Sequence, residues 1–530
     1  MKKPLLCLAT VLLLSAGVAR ADDETVVPRF DINRILLEGN SILRADEVAA
    51  VLKKYTGPQK DFGTIQEAIE ELESAYRARG YSLVTVILPE QELVGGTVTI
   101  KVLEPVLKEI QVTGNTHFSR ENILTSLPTL QIGQPPRVSA ISENLRAANE
   151  NPAKKITLQF KTPDKPEDLQ ALVLIKDQKP WKVALTGDNT GTRLSGYYRT
   201  GLLLQHYNLW NRDHIAALQY VTSPDHADKV MIISGSYRIP LYSWGDTIDL
   251  FGGYSDVDNG TSQISGTSLS ISGKGTVSGI RYNLSLPRFG AYEQKLALGL
   301  DYREYDNSLQ IVGLTGDYAK DVLAHPLSVT YGGSWSSDVA SADGYVGVLH
   351  NQPWGGLGQQ KDYDLVRSAA KADYWIFRYG FNKLVRPGMD WVFRVSGNGQ
   401  YTPDRLIPGE QFGLGGATSV RGYEEREEAY DAGFSGSFEV YSPDLAAAAR
   451  LPKVQFRLLG FFDGGTGYNL RVQSLSGEAS ANSLTSTGVG FRLGVSDFFS
   501  FSLDWGYALA ASTNTKRGGN AVHFKGQVSF

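Results

Sequence analysis

The stretch His214-Ile-Ala-Ala-Leu-Gln-Tyr-Val-Thr222 is followed by Ser223–Asp228, then Lys229-Val-Met-Ile-Ile-Ser-Gly-Ser-Tyr-Arg-Ile239 and Thr247-Ile-Asp-Leu-Phe-Gly-Gly-Tyr254. Each run alternates between two unlike faces and is bounded by Asn, Asp, Gly, Ser or Pro, the pattern of a β-strand that meets a different medium on each side. Tyr197–Tyr207 and Ser265–Ile271 read the same way, and Asn208–Asp213 and Asp256–Thr261 read as turns. From Trp181 to Phe530 the helical period is absent. At about 22 residues per strand and connection, this region holds about sixteen strands, a number that suits a closed membrane barrel. Short connections such as Arg238–Gly245 are expected on one rim, and the long stretches Ser341–Asp362 and Leu406–Gly436 on the other.

Composition agrees once its blind spot is recognised. A chain of 530 residues predicts several domains, and 20% charged residues is too few for a disordered or coiled-coil chain. After the first twenty positions no run of 18 apolar residues occurs, so no membrane helix is expected. Slightly negative mean hydropathy ordinarily reads as soluble. A membrane barrel escapes that rule, because lipid-facing and lumen-facing residues average out. Aromatics near segment ends, such as Tyr207, Trp210, Tyr242 and Trp244, suit interfacial girdles.

Lys2-Lys3, the apolar stretch Pro4–Val18 and Ala19-Arg20-Ala21 form a signal peptide with cleavage expected after Ala21. Cleavage removes the single cysteine, Cys7, and leaves 49 basic against 56 acidic side chains, a net charge of −7. An acidic, thiol-free exported chain must hold its fold by core packing or barrel closure, and it is a poor partner for nucleic acid.

The first third contains a repeat. Ile35-Leu-Leu-Glu-Gly39-Asn40 matches Ile110-Gln-Val-Thr-Gly114-Asn115 at an offset of 75 residues. In the first copy helices are expected at Ala45–Tyr55 and Thr64–Arg79, with strands at Ser82–Leu88 and Leu93–Leu103. In the second, helices are expected near Arg120–Ser126 and Val138–Ala148, with strands near Lys155–Lys161 and Leu169–Lys176. Each copy is a β-α-α-β-β unit whose open sheet edge can accept an extended peptide as an added strand. The expected division is a signal peptide at 1–21, a short linker at 22–29, modules at 30–104 and 105–178, and a barrel at 179–530.

Two glycine-rich stretches carry the candidate functional residues. Gly413-Leu-Gly-Gly-Ala-Thr-Ser-Val420-Arg421-Gly422-Tyr423 lies in the longest external connection. Leu459-Gly-Phe461-Phe462-Asp463-Gly464-Gly465 alternates as a strand. By itself Arg421 reads first as a solvated loop charge. The alternative is a lumenal pair with Asp463, since a guanidinium fork binds a carboxylate bidentately. In His523-Phe-Lys-Gly-Gln-Val-Ser-Phe530, Phe524, Gly526, Val528 and Phe530 share one face.

On these residues the chain resembles known families. The repeated unit resembles the POTRA domain. Val420-Arg421-Gly422-Tyr423 and Phe461-x-Asp463-x-Gly465 are similar to the two signature motifs of the BamA-like superfamily, and the stretch that includes Phe530 resembles its outer-membrane assembly signal. With two POTRA units, the chain resembles the TpsB transporters of two-partner secretion, the ShlB/FhaC/HecB family. Gly187-Asp188-Asn189, Tyr207-Asn208-Leu209 with Asp213, Glu410-Gln411-Phe412 and Ser502-Leu-Asp-Trp505 look like the same family. The resemblance implies a transmembrane β-barrel of about 16 antiparallel strands preceded by two α+β POTRA domains in the periplasm. It also implies that the sixth external loop folds inward, with Arg421 on Asp463, Gly422 and Tyr423 shaping the tip, and Phe461 and Gly465 framing the Asp. The implied partners are a large secreted protein held in extended form (an adhesin, haemolysin or contact-dependent toxin), outer-membrane lipid, and the barrel-assembly machinery during biogenesis. The protein is expected to act as a monomer. The plug helix of many relatives is not expected before the first strand.

Rival readings find less support. No phosphate-loop motif is present, Gly433-Phe-Ser435-Gly-Ser437 lacks the final Gly of a nucleophile elbow, and the seven histidines show no metal-ligand spacing. Asp256-Val-Asp258-Asn-Gly260 reads as a turn rather than a calcium loop. No catalytic residue, metal or cofactor is assigned, and most histidines, like the acidic run Glu424–Glu428, are expected to be solvated. The alternative function is a general outer-membrane assembly factor.

Overall fold

The computed structural model describes residues 28–163, 165–192, 195–257, 261–263, 270–306, 321–472 and 478–530. The signal peptide, most of the linker, residues 258–260 of the expected turn and residues 265–269 of the expected Ser265–Ile271 strand lie outside these residues.

The chain forms two compact units: residues 28–107 with 133–138 and 162–169, and the remaining described residues. In the first, Thr97–Leu103 is the central strand of a three-stranded sheet, parallel to Arg34–Glu38 and antiparallel to Thr85–Ile87. Helices α1 (Ala45–Leu52) and α2 (Phe62–Ala78) supply its apolar cover. Ile65, Ala68, Ile69, Leu72 and Tyr76 lie on one stripe of α2 and pack with Val98, Ile100 and Val102 of the sheet, as a 3.6-residue period meeting a two-residue period requires. Asp61 caps α2 by accepting from the Thr64 N–H at 2.9 Å. A two-stranded sheet of Phe30–Ile32 with Gly57–Lys60 adds to the expected plan.

The second copy has a sheet of Val106–Thr113, Asp168–Asp177 and Lys154–Lys161 in that order, with helices α3 (Arg120–Thr125) and α4 (Val138–Ala148). The repeat extends to atomic detail. Gly39 and Gly114 take φ of +79° and +86°, and a Cβ on either would lie 2.4 or 2.3 Å from the carbonyl oxygen of Val102 or Ile175. Asn40 and Asn115 donate to the carbonyls of Leu43 and Phe118, both at 2.9 Å. Glu104 receives the N–H groups of Ser41 and Ile42, and Asp177 those of Thr116, His117 and Phe118.

Sixteen antiparallel strands close into a barrel. They are β1 (Trp181–Asp188), β2 (Arg199–Leu209), β3 (His214–Thr222), β4 (Val230–Leu241), β5 (Asp246–Val257), β6 (Gly275–Ser285), β7 (Tyr292–Tyr305) and β8 (Val322–Ser336). The second half is β9 (Ala340–Gln352), β10 (Trp375–Gly388), β11 (Trp391–Tyr401), β12 (Ala432–Tyr441), β13 (Val454–Tyr468), β14 (Ala481–Val495), β15 (Phe499–Ala508) and β16 (Asn520–Ser529). The ring closes where β16 pairs with β1, from Lys525 opposite Asp188 to Ser529 opposite Ala184. Alternation is clear on β10, where Trp375, Phe377, Tyr379 and Phe381 face outward, and on β13, where Leu458 and Phe462 face outward while Phe461 and Asp463 face the lumen. Phe530 is exposed, and its ring meets Phe498 edge-on.

Two sequence expectations are corrected. Ser341–Asp362 is not a long connection: residues through Gln352 form β9, and the connection is 353–374, with helix α5 at Gln360–Val366. Small residues dilute the period there, because their missing side chains seat neighbours; a Cβ on Gly380 of β10 would meet the Tyr345 ring of β9 at 2.5 Å. The inward connection is 402–431, so Gly433–Ser437 belongs to β12 rather than to a loop. The partner of β5 is β6 at Gly275–Ser285.

Gly39→Ala and Gly114→Ala should each destabilise their module by at least about 1–3 kcal/mol, from the left-handed backbone alone. Gly133→Ala is the control, because φ there is +84° but nothing lies within 4 Å of an added Cβ. Denaturant titration followed by limited proteolysis should show the larger loss at Gly39 and Gly114, the excess measuring the clash.

Candidate functional site

Connection 402–431 runs from β11 to β12 and forms its own short hairpin, Phe412–Leu414 paired with Glu428–Tyr430. Its tip lies against the inner wall. Arg421 is 4% exposed and meets the fully buried Asp463 of β13 bidentately along one guanidinium edge, Nε to Oδ2 at 2.7 Å and Nη2 to Oδ1 at 2.8 Å. The Arg421 backbone N–H donates to the same carboxylate at 3.1 Å. Nη1 reaches Glu439 of β12 at 2.9 Å and Asp504 of β15 at 3.3 Å, and the guanidinium lies 3.5 Å from the centre of the Phe461 ring. Glu439 also pairs with Arg394, and Asp504 with Arg492. Three guanidinium groups therefore balance three carboxylates, which is how the buried Arg421, Asp463 and Glu439 keep their charge.

The glycines permit the approach. Gly422 takes φ of +93°, and a Cβ on Gly506 of β15 would lie 2.5 Å from the Gly422 nitrogen. A Cβ on Gly465 would meet Leu414 at 2.7 Å and Val420 at 3.1 Å. Val420 and Tyr423 are fully buried with Leu414, Tyr430, Leu484 and Ala508, and the Tyr423 hydroxyl lies 2.9 Å from the carbonyls of Thr485 and Ala510. The structure thus brings Val420, Arg421, Gly422, Tyr423, Phe461, Asp463 and Gly465 together, with Phe530 elsewhere, on the rim.

Sequence reasoning missed several neighbours. His523 is buried on β16, where its Nε2 accepts the Gly422 N–H at 3.1 Å, so it is not a solvated histidine. The acidic run Glu424–Glu428 is likewise not a solvated face. Glu427 receives the N–H groups of Asn514 and Thr515 at 2.9 and 2.7 Å, Glu428 is buried and accepts from Tyr430 and Asn482, and only Glu424 is exposed. These carboxylates answer backbone and side-chain donors on β14 and the connection after β15, partners that local sequence does not reveal. Gly506 sat beside the quoted Trp505 but carried no signal of its own.

A second buried polar cluster joins elements of the second repeat to the barrel rim within the same compact unit. Lys154 pairs with Asp213 in the turn after β2, and neither side chain is more than 1% exposed. Asn122 lies 3.0 Å from the Asp213 carboxylate and 3.1 Å from the Lys154 ammonium, and Tyr242 donates to Asp213 at 2.6 Å. Burial pushes the Lys154 pKa down, and the charge of Asp213 opposes that shift. Trp210, Asn211 and Asp213 all take φ near +60°, a strained turn that aims the carboxylate into the cluster.

A family model described as haemolysin secretion/activation protein ShlB/FhaC/HecB matches residues 171–493, more than half of the chain. The chain belongs to this family. A second model, POTRA domain of ShlB type, matches residues 30–105. The ShlB/FhaC/HecB member described here is an outer-membrane transporter of two-partner secretion, its POTRA region periplasmic. The heme/hemopexin transporter protein HuxB of Haemophilus influenzae is 22% identical over 496 residues, 91% of this chain and 83% of the relative. The outer membrane transporter CdiB of Dickeya dadantii is 22% identical over 444 residues, 79% and 73% of the two chains. Among solved structures, CdiB from Escherichia coli has the same fold, with a TM-score of 0.75 at 19% identity over 97% of this chain and 93% of the other.

Arg421→Ala should destabilise the inward loop by about 3–5 kcal/mol, because Asp463 is left buried and unpaired. Arg421→Lys should restore charge but not the bidentate contact, and so only part of the stability. Thermal unfolding in detergent, with proteolysis of the loop, measures both. Lys154→Met should lower the stability of the Asp213 cluster by a similar amount, about 3–5 kcal/mol, and adding Asp213→Asn should recover part of it by removing the stranded charge.

Proposed function

We propose that this transporter captures one large secreted protein in unfolded, extended form on its POTRA modules, at residues 30–104 and 105–178, and threads it through the barrel at 179–530 to the cell surface. The observation that carries this reading is an edge of the first module's sheet that no other strand among the described residues covers. Arg34–Glu38 is the outer strand of its sheet, and the groove between it and α1 is lined by Ile35, Leu37, Val48, Ala49 and Leu52 beside Arg34 and Lys53. An unfolded chain can pair its backbone with that edge and bury alternate apolar side chains in the groove, so affinity depends little on sequence. The cargo is of the adhesin, haemolysin or contact-dependent toxin class; among the relatives, HuxB is a heme/hemopexin transporter. Transport is driven by folding outside the cell without nucleotide hydrolysis, and the protein is not an enzyme. It acts as a monomer and is inserted by the barrel-assembly machinery, for which the stretch including Phe530 is the signal. The Arg421–Asp463 pair, framed by Phe461 and Gly465, holds the inward loop in its transport-competent position.

Deleting the gene should abolish surface export of one protein and leave the profile of other outer-membrane barrels unchanged. Restoring the wild-type gene should restore export, and the Arg421→Ala gene should not. A broad loss of barrels would instead indicate the general assembly factor.

A further inference from the structure

The inward loop has a second buried anchor, at its root rather than its tip. Pro408–Glu410 forms a single 3₁₀ turn, and Glu410 is 1% exposed. Its carboxylate accepts from Arg303 Nη1 at 2.8 and 2.9 Å and from the Tyr305 hydroxyl at 2.7 Å, with Arg378 Nη2 at 3.4 Å. Its carbonyl accepts from Gln400 at 2.9 Å. Asp301 holds the other end of Arg303 at 2.7 Å and is itself paired with Arg281, so the guanidinium is also held from the barrel wall. Packing points the same way: a Cβ on Gly409 would lie 2.3 Å from the Tyr305 ring, so the turn is pressed flat on the wall.

The placement of the two anchors matters more than either alone. The loop leaves from β11, yet Glu410 is bound by β7, four strands back around the ring, while Arg421 is bound by β13. β7 and β13 stand six places apart in a closed ring of sixteen. The loop is thus a strap tied to both sides of the lumen. Within it Arg426 donates to the carbonyls of Pro408 and Gln411 at 2.7 and 3.0 Å, so root and tip are linked through the loop's own backbone. A cavity of about 910 Å³ runs beside the strap, lined by Arg303, Glu425, Arg426 and Asp504 among others. A buried ion pair adds little net stability, because desolvation offsets attraction, but it defines one geometry and weakens steeply when water reaches it. Those are the properties of a latch.

We propose that Glu410 and Arg303 form a second latch, separate from the Arg421–Asp463 pair, that holds the root of the loop across the lumen and must open for a chain to pass. The proposal rests on the reading above that this loop governs transport, and it makes Glu410 a positioning residue for it.

The test uses the whole mature chain, cysteine-free once cleavage after Ala21 removes Cys7, purified in detergent and inserted in planar lipid bilayers. Thr418→Cys, exposed and lining the cavity, reports loop position by its rate of labelling with a charged maleimide. Glu410→Ala should raise both pore conductance and the Thr418→Cys labelling rate, the latter by about tenfold, as expected for loss of hydrogen bonds to a charged group. Glu410→Gln should fall between Ala and wild type, and Glu410→Ala with Arg421→Ala should exceed either alone. Heat-modifiable gel mobility checks that the barrel is closed; if Glu410→Ala does not fold, Arg303→Gln and Tyr305→Phe weaken the same latch from the wall side. A closed barrel with wild-type conductance and labelling in these variants would overturn the latch. If Arg421→Ala blocks export while the Glu410 variants change nothing, the latch is wrong and the loop reading stands. If the Glu410 variants open the pore and export is untouched by them and by Arg421→Ala, the latch stands and the loop reading fails.

Discussion

Hydrocarbon offers no hydrogen bonds, so every backbone N–H and C=O that crosses a membrane must find its partner in the protein. A sheet satisfies that demand only by closing, and the pairing of β16 with β1 is the step on which the rest of the structure depends. Closure divides the side chains between two media. Outward positions are apolar, as along β10, and inward positions are free to carry charge. Much of the ionic chemistry of this transporter is therefore lumenal, where the most buried charges are each answered by another.

The answer is a set of closed networks rather than isolated pairs. Around the loop tip, Arg394, Arg421 and Arg492 balance Glu439, Asp463 and Asp504. Around its root, Arg281, Arg303 and Arg378 surround Asp301 and Glu410. At the external rim Arg367 binds Asp431 and Glu478, and Arg405 binds Glu478, which joins connections 353–374, 402–431 and 469–480. Such networks favour one arrangement strongly over its neighbours while contributing modest net stability, because removal of any member leaves its partner buried and unpaired.

The periplasmic half follows a different logic. Its modules are ordinary α+β units with apolar cores, and the same Gly-Asn turn recurs because a left-handed residue must pass against a strand carbonyl at Val102 and again at Ile175. Where the second copy meets the barrel rim the contact becomes polar again, with Lys154, Asp213, Asn122 and Tyr242 sharing one buried cluster. A carboxylate on a strained turn and an ammonium on a strand can meet in few geometries, so the junction has a defined register.

Local pattern was enough for the elements whose neighbours lie close in the chain. The two-residue alternation of β3 and β4, the 3.6-residue stripe of α2 and the repeated Gly-Asn turns are each fixed by which medium a side chain must face or which φ its backbone must take, and all were legible. The pattern failed where a strand's partner supplied the bulk, as in β9 beside Gly380, and where loop carboxylates found donors 87 and 88 residues away, as Glu427 does at Asn514 and Thr515. The Arg421 and Asp463 motifs could be read as candidates, but neither His523 behind Gly422 nor Arg303 beneath Glu410 had any local mark. By itself the sequence determined that this is an exported protein of two repeated α+β units and a sixteen-stranded barrel, since periodicity and turn chemistry are properties of neighbouring residues. Only the tertiary structure decided which charges answer one another across the lumen, because closing the sheet brings together side chains that are distant along the chain, in a space where an unpaired charge cannot remain.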